Sequence, residues 1–394
     1  MPFSPDDVVI VSAVRTAIGR FGGALRETSD MTLGAAVIAE AMKRARIEGG
    51  QVDETIMASG YRTGDLPINS ARVVAVKAGV PIEKPQFTIS KACAGSLRSV
   101  VLAKQIIQAK DAEIIVAGGM ESMSKAAYLL KGVRWGLRMG PGEVQDQLVL
   151  FDPLSGNTMG QTAENVAKRF KISRQAQDEW ALLSQQRAEK AIKEGRFKSQ
   201  IVPLEISDGK QKIVFDTDEH PRFGTTLEAL AKLKPVFDPE GGTVTAGNSS
   251  GMNDAAAAVV VMKAAKAKEL GLEPLAKIRA FAAVGVEPSL MGIGPVPATR
   301  LALKKAGMEL GDIDLIELNE AFASQVVYCV NELGLDPEKT NIYGGAIALG
   351  HPISASGACL ITKLLYALAD RGASTGLVAM CIGGGQGMSV VFER

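Results

Sequence analysis

Two hydrophobic periods take turns along this chain. The opening VVIVSAVR is a short, continuous run of apolar and β-branched residues, the pattern of a buried strand. Over 32–46 (TLGAAVIAEAMKRAR) apolar residues recur at helical spacing, and basic residues gather at the end, where the helix dipole favours them. ETIMASG then predicts a strand, INSARVVAVKAGV a helix over 68–80, PQFTIS a strand, AGSLRSVVLAKQIIQA a helix over 94–109, and EIIVAGG another strand. Strands alternating with helices predict an α/β fold on a parallel sheet covered on both faces.

That order returns late in the chain. LAKIRAFAAVGVEP repeats the opening strand, PATRLALKKAG the first helix and DIDLIELNE the next strand. After a helix (FASQVVYCVNELG) come NIYGGAIALGH, a helix over 354–370, and the segments GLVAMCIGGG and GMSVVFE. More than four elements match in order at an offset of about 260 residues, which reads as an internal duplication. Residues 122–248 break the pattern. They are richer in charge, Pro and Gly, contain one strong helix over 173–195 with Ser173 as its N-cap, and read as an irregular insertion lying over the first half. TVTAGNSS followed by GMNDAAAAVVVMK predicts a return to strand and helix. The expected organisation is a first half, 1–121, completed by 249–275; an insertion, 122–248; and a second half, 276–394.

Composition narrows the function classes. At 394 residues the chain can bury a large core, and its 46% apolar but only 5% aromatic content suits tightly packed layers. Lys and Arg number 44 against 43 Asp and Glu, a net charge of +1, so no global basic field exists to hold nucleic acid or an anionic membrane. The start MPFSPDDVVIV has no basic n-region, and no apolar run approaches the roughly 18 residues a membrane helix needs. A cytoplasmic protein with free thiols is the expectation. Cys93, Cys329, Cys359 and Cys381 lack paired metal-ligand spacing, and only two His are present, so no metal site is expected.

Four places carry candidate chemistry. In TISKACAGSLRS a strand ends, Cys93 sits at the turn, small residues follow and a helix begins. A free thiol has a pKa of about 8.5, and a helix N-terminus is expected to lower it. In GGAIALGHPISASGA, His351 is the candidate general base; His220, in the charged DEHPRFG, is expected at the surface. In VAMCIGGGQGMSVV, Cys381 ends a strand and runs into Gly383, Gly384 and Gly385, whose N–H groups suit an oxyanion site. A strand follows and no Gly-Lys-Ser/Thr is present, so the run is not a nucleotide loop. In ELNEAFA, the Asn319 amide can hold a water or donate to an oxyanion. Cys329 and Cys359 fall within helices and read as structural.

These stretches, with SAVRTAIGRFGGAL, GGMESMS, MGQTAENVAKRF, TVTAGNSSGMNDAAA, GIGPVPAT, NEAFA, GGAIALGHP and CIGGGQG, resemble the thiolase family over essentially the whole chain. The resemblance implies a duplicated five-layered α/β/α/β/α fold with an inserted loop domain, and an acetyl-CoA C-acyltransferase that cleaves 3-ketoacyl-CoA or runs the Claisen condensation in reverse. It implies Cys93 as the acylated nucleophile and His351 as its activator. His351, with a water held by Asn319, would stabilise the thioester oxygen. Cys381 would be the acid/base at the α-carbon, and the N–H groups of Cys93 and Gly383 the second oxyanion hole. Coenzyme A, a substrate, would lie near Arg222, Ser250, Ala246, Phe237, Met159, Ala321 and Phe322. No metal or redox cofactor is implied, and a homo-oligomer, dimer or dimer of dimers, is expected.

Three departures from the family pattern stand out. Many acetoacetyl-specific members carry His before the Met of NTMG, where this chain has Thr158; longer acyl chains therefore stay open. Ser354 replaces the usual Gly after GHPI, and the nucleophile segment reads CAGSLRS. Competing readings are a ketosynthase-like condensing enzyme, which needs a second His or an Asn; a serine hydrolase, on GNSSG at 247–251 with Asp314 and His351; and a non-catalytic acyl-CoA-binding paralogue.

Overall fold

The computed structural model describes residues 3–61, 69–208 and 211–394. In the first half, strands β1 (Val8–Thr16), β2 (Glu54–Ala58), β3 (Gln86–Ile89) and β4 (Ile114–Ser122) alternate with helices α1 (Asp30–Arg44), α2 (Ser70–Lys77) and α3 (Gly95–Ala109). The helix predicted from 68 is observed from Ser70; Ile68 lies outside the described residues. The chain leaves the sheet at Ser122, forms helices α4 (Met159–Phe170) and α5 (Arg174–Lys193), and re-enters as β5 (Asn253–Lys263). The second half adds β6 (Ala276–Gly285), α6 (Pro295–Ala306), β7 (Leu315–Leu318), α7 (Ala323–Leu333), α8 (Ser356–Arg371), β8 (Thr375–Ile382) and β9 (Gln386–Glu393).

The sheet's main path runs β7–β8–β9–β6–β1–β5–β4–β2–β3. Read outward from the β1–β6 seam, the halves repeat one another. In each, two antiparallel pairings come first (β1–β5–β4 and β6–β9–β8), then a parallel one (β4–β2 and β8–β7). Even the register irregularity recurs, at Ile10/Ser12 and at Ile278/Ala280. The seam itself is only two residue pairs, Val9↔Lys277 and Ile10↔Ala276. Helices α3 and α8 pack together between the halves, α1 and α2 cover the outside of one, and α6 and α7 the outside of the other, giving five layers.

Three sequence expectations are corrected. The sheet is mixed, not parallel, because each half closes with a strand returning antiparallel beside its first. The stretch 251–263, expected as a helix after a strand at 243–250, is the strand β5 following a loop. Its alanines serve packing instead: Ala257 meets Ala355, Ala358 and Cys359, where α8 lies close on the sheet. Burial between β1 and β4 overrides the helix propensity of Ala. Finally, the insertion's helices dock on the second half. Glu320 accepts from Trp180 Nε1 (3.0 Å) and Ser184 Oγ (2.7 Å) of α5, and α4 packs on α7. Segment 353–371 is also long and apolar enough to cross a membrane, but it is mostly buried inside the fold.

Candidate active site

The Cys93 turn is built by an unusual backbone. Ala92 adopts φ 43°, a left-handed conformation that costs a residue with a side chain about 1–3 kcal/mol and is concentrated at functional sites. One 3₁₀ turn, Ala92–Ala94, then feeds α3. The backbone N–H groups of Gly383 and of Cys93 itself lie near the Cys93 sulfur and favour its thiolate form. Burial nevertheless raises the thiol above its ordinary value, and the nearby Glu121 carboxylate adds to the rise. The expected lowering by the helix N-terminus is overturned: desolvation of the charged form outweighs those two N–H groups. The resting thiol therefore holds its proton at neutral pH and needs a base.

His351 is set to be that base. Its N–H donates to Asn253 Oδ1 (2.9 Å), fixing the backbone. Its Nδ1 lies 2.6 Å from Ser356 Oγ at the first turn of α8, and Nε2 has no partner among the described residues. With Nδ1 donating to Ser356, Nε2 is left as an acceptor. Burial lowers the imidazole to about 4, so it is neutral at physiological pH.

Cys381, the penultimate residue of β8, is fully buried against Met291 and Ala321. Burial pushes its thiol well up, and the Cys93 sulfur is near enough to raise it further. The β8–β9 turn follows, with Gly384 (φ 84°) and Gly385 (φ 77°) in the left-handed region; this tight turn presents the Gly383 N–H to Cys93. Asn319 is buried, and neither its Oδ1 nor its Nδ2 has a partner among the described residues. It lines a cavity of about 20 Å³ with Pro352, Ser356 and Lys363. That is room for about one water.

Cys93 and His351 open into a larger cavity of about 530 Å³ under the insertion. Arg222, Ser250, Ala246, Phe237, Met159, Ala321 and Phe322 all line it. Phe237 and Phe322 meet edge to face, 6.3 Å between centroids. Gly160 makes room for this, since a Cβ there would strike the Phe237 ring at 2.3 Å. Thr158 lines the cavity while capping α4 with Gln161. Cys329 and Cys359 are buried in α7 and α8, each raised to about 12 by burial.

His220 is a correction. It lines the cavity, half-buried, and is lowered to about 4 by burial and by Arg222 and Arg20. The charges around it are anchors, not a solvated face. Asp218 accepts from Arg15 (2.7 and 2.9 Å) and Glu219 from Ala24 N (3.2 Å), which turns His220 inward. Sequence reasoning also passed over Ser356 and Asn253, which hold His351, and Glu121. For Glu121 the GGMESMS stretch was the available signal. The hydrolase arrangement does not assemble: Ser249 Oγ donates to Thr245 O (2.7 Å), and Asp314 caps Ser374 and Thr375 N–H groups (2.9 Å each).

Comparison with known proteins agrees with this geometry. Residues 8–265 match the thiolase N-terminal domain and 272–394 the thiolase C-terminal domain. The chain is 52% identical to the acetyl-CoA acetyltransferase of Escherichia coli, over 98% of each chain. It is 50% identical to that of Syntrophomonas wolfei, over 98% of this chain and 99% of that one. Human mitochondrial 3-ketoacyl-CoA thiolase, solved with CoA, superposes with a TM-score of 0.95 at 41% identity, covering 99% of this chain and 98% of that one. With both halves matched and the fold shared, this chain belongs to the thiolase family of acyltransferases.

Proposed function

We propose that the chain catalyses the reversible cleavage of a 3-ketoacyl-CoA by coenzyme A, with Cys93 as nucleophile. The observation that carries this is the placement of the Cys93 thiol and the His351 imidazole on one cavity, with the Gly383 N–H near the sulfur. His351 Nε2 takes the Cys93 proton as sulfur attacks the 3-keto carbon, and the bond between C2 and C3 breaks. The acyl group stays on Cys93, and Cys381 protonates the departing acetyl-CoA enolate. Coenzyme A then gives its thiol proton to the Cys381 thiolate and takes the acyl group, and the released Cys93 sulfur recovers its proton from His351; condensation is the same path reversed. A thiol with a raised pKa suits this proton step, because its thiolate is a strong base for a weakly acidic α-carbon.

Charge appears on oxygen twice, so two oxyanion sites are needed, each donor worth about 3–4 kcal/mol. The N–H groups of Cys93 and Gly383 serve one. His351, with a water on the Asn319 amide, serves the other. Coenzyme A enters beneath the insertion 122–248, past Arg222 and Phe237. The sheet-forming halves are 1–121 with 249–275, and 276–394. No metal is required by these steps.

The working form is a homo-oligomer in a reducing, cytoplasmic compartment that keeps Cys93 a thiol, serving fatty-acid turnover. An apolar arm supports association with a second copy: Tyr128, Trp135 (90% exposed) and Leu154 lie on the outside. An assay of coenzyme A-dependent cleavage across 3-ketoacyl-CoA chain lengths tests the reading. Cys93→Ala is expected to lose about 10⁴-fold or more in kcat on every substrate. Ordinary turnover by that variant would reject the nucleophile. A ratio of kcat/KM favouring eight carbons over four would assign Thr158 to longer chains.

A further inference from the structure

One buried carboxylate has no part in the steps above. Glu121 is the penultimate residue of β4 and wholly buried. Its two oxygens accept three backbone N–H groups: Gly60 (3.2 Å), Tyr61 (3.1 Å) and Ser354 (3.1 Å). The first two belong to the turn after β2. The third belongs to the segment that carries His351. Both packing partners close in on the same spot. A Cβ on Gly60 would meet Glu121 Oε2 at 2.7 Å and Ser354 Oγ at 2.8 Å, and one on Gly119, on the same face of β4 as Glu121, would meet Ser354 O at 2.3 Å. A Cβ on Gly95, at the start of α3, would reach Ser354 at 3.5 Å. The carboxylate thus ties the His351 segment to the first half immediately behind the Cys93 turn.

We propose that Glu121 is a positioning residue for acyl transfer: it fastens the His351 segment against the Cys93 turn. Three N–H donors on one carboxylate specify a charged acceptor, because a neutral amide in its place would turn its own N–H groups towards at least one of them. Burial works against that charge and raises Glu121 to about 7; Asp30 raises it too, while the backbone N–H groups of Tyr61 and Ser354 lower it. Towards Cys93 the field acts in one direction. Glu121 and the Cys93 sulfur repel when both are ionised, as do Cys381 and Cys93. Tyr61, raised by burial, stays neutral, and so does His351.

The proposal rests on Cys93 being the nucleophile, and its test separates the two. In the full-length enzyme, Glu121→Gln is expected to lower kcat about 100-fold, the scale of a misplaced catalytic group, with KM for coenzyme A little changed. The pH curve for iodoacetamide alkylation of Cys93 should move to lower pH, a change that a merely structural role would not produce. Gly60→Ala pushes on the carboxylate without neutralising it. It should lower kcat and leave the alkylation curve in place, and it keeps the idea testable if the Gln variant does not fold. Wild-type kcat and an unmoved alkylation curve in Glu121→Gln, or full activity in Gly60→Ala, would overturn the positioning role while wild-type turnover leaves the nucleophile assignment intact. Absent turnover in the wild type would instead count against the nucleophile reading itself.

Discussion

The turns that enter the two central helices occupy matching places in a duplicated scaffold, yet they carry opposite chemistry. Each helix is entered through one 3₁₀ turn, Ala92–Ala94 before α3 and Ile353–Ala355 before α8. In the first half the thiol lies inside that turn and burial raises its pKa. In the second the imidazole lies just ahead of the turn, reaches forward to Ser356, and burial lowers its pKa. One physical cause moves the acid up and the base down, because each neutral form is favoured out of water. The resting pair is therefore thiol and imidazole, not thiolate and imidazolium. The strand ends differ in the same way: the penultimate residue is Glu121 in β4 and Cys381, just ahead of a glycine turn, in β8. Duplication supplies matching places, and turn residues decide what each place does.

The most severe way to break the contrast is to remove the second-half thiol. Cys381→Ala is expected to cost about 10²–10⁴-fold in condensation, the usual range for a proton-transfer group, while acylation by acetyl-CoA continues. Rapid-quench measurement of both steps checks it; normal condensation would free Cys381 from the proton step. A smaller loss is expected from Ser356→Ala, which leaves the imidazole without its Nδ1 partner. A hydrogen bond worth about 1.4 kcal/mol predicts a roughly tenfold lower kcat, and unchanged kinetics would remove Ser356 from the account. The mildest test perturbs nothing. With only two histidines in the chain, both imidazole resonances should titrate near pH 4, well below an ordinary His. The sign for stability follows: the unfolded chain takes up protons that the folded one refuses, so these two groups withdraw stability as pH falls from about 6.5 towards 4. Titration of His351 at an ordinary value would contradict a desolvated base.

Much of this was legible in the sequence, for local reasons. Strand-to-helix turns at Cys93 and His351, and a strand ending in Cys381 before three glycines, are short-range patterns that survive folding. The doubled order of elements was readable because each half repeats its own periodicity. What escaped was set at long range. The alanines of β5 read as helix because their packing against α8 comes from residues about 100 positions away. His220 read as surface because Arg15 and Ala24, which anchor its neighbours Asp218 and Glu219, lie far off in sequence. The sign of the Cys93 shift depended on burial, which no local pattern around a helix N-terminus reports.

The central claim is that acyl transfer passes through the sulfur of Cys93. Quenching the enzyme during reaction with acetyl-CoA and mapping the acetyl group by peptide mass spectrometry addresses it directly. The account predicts acetyl on the Cys93 peptide in the wild type and, undiminished, in Cys381→Ala. Acetyl on Cys381 or on Ser249, or no covalent acetyl at all in an enzyme that turns over, would contradict it.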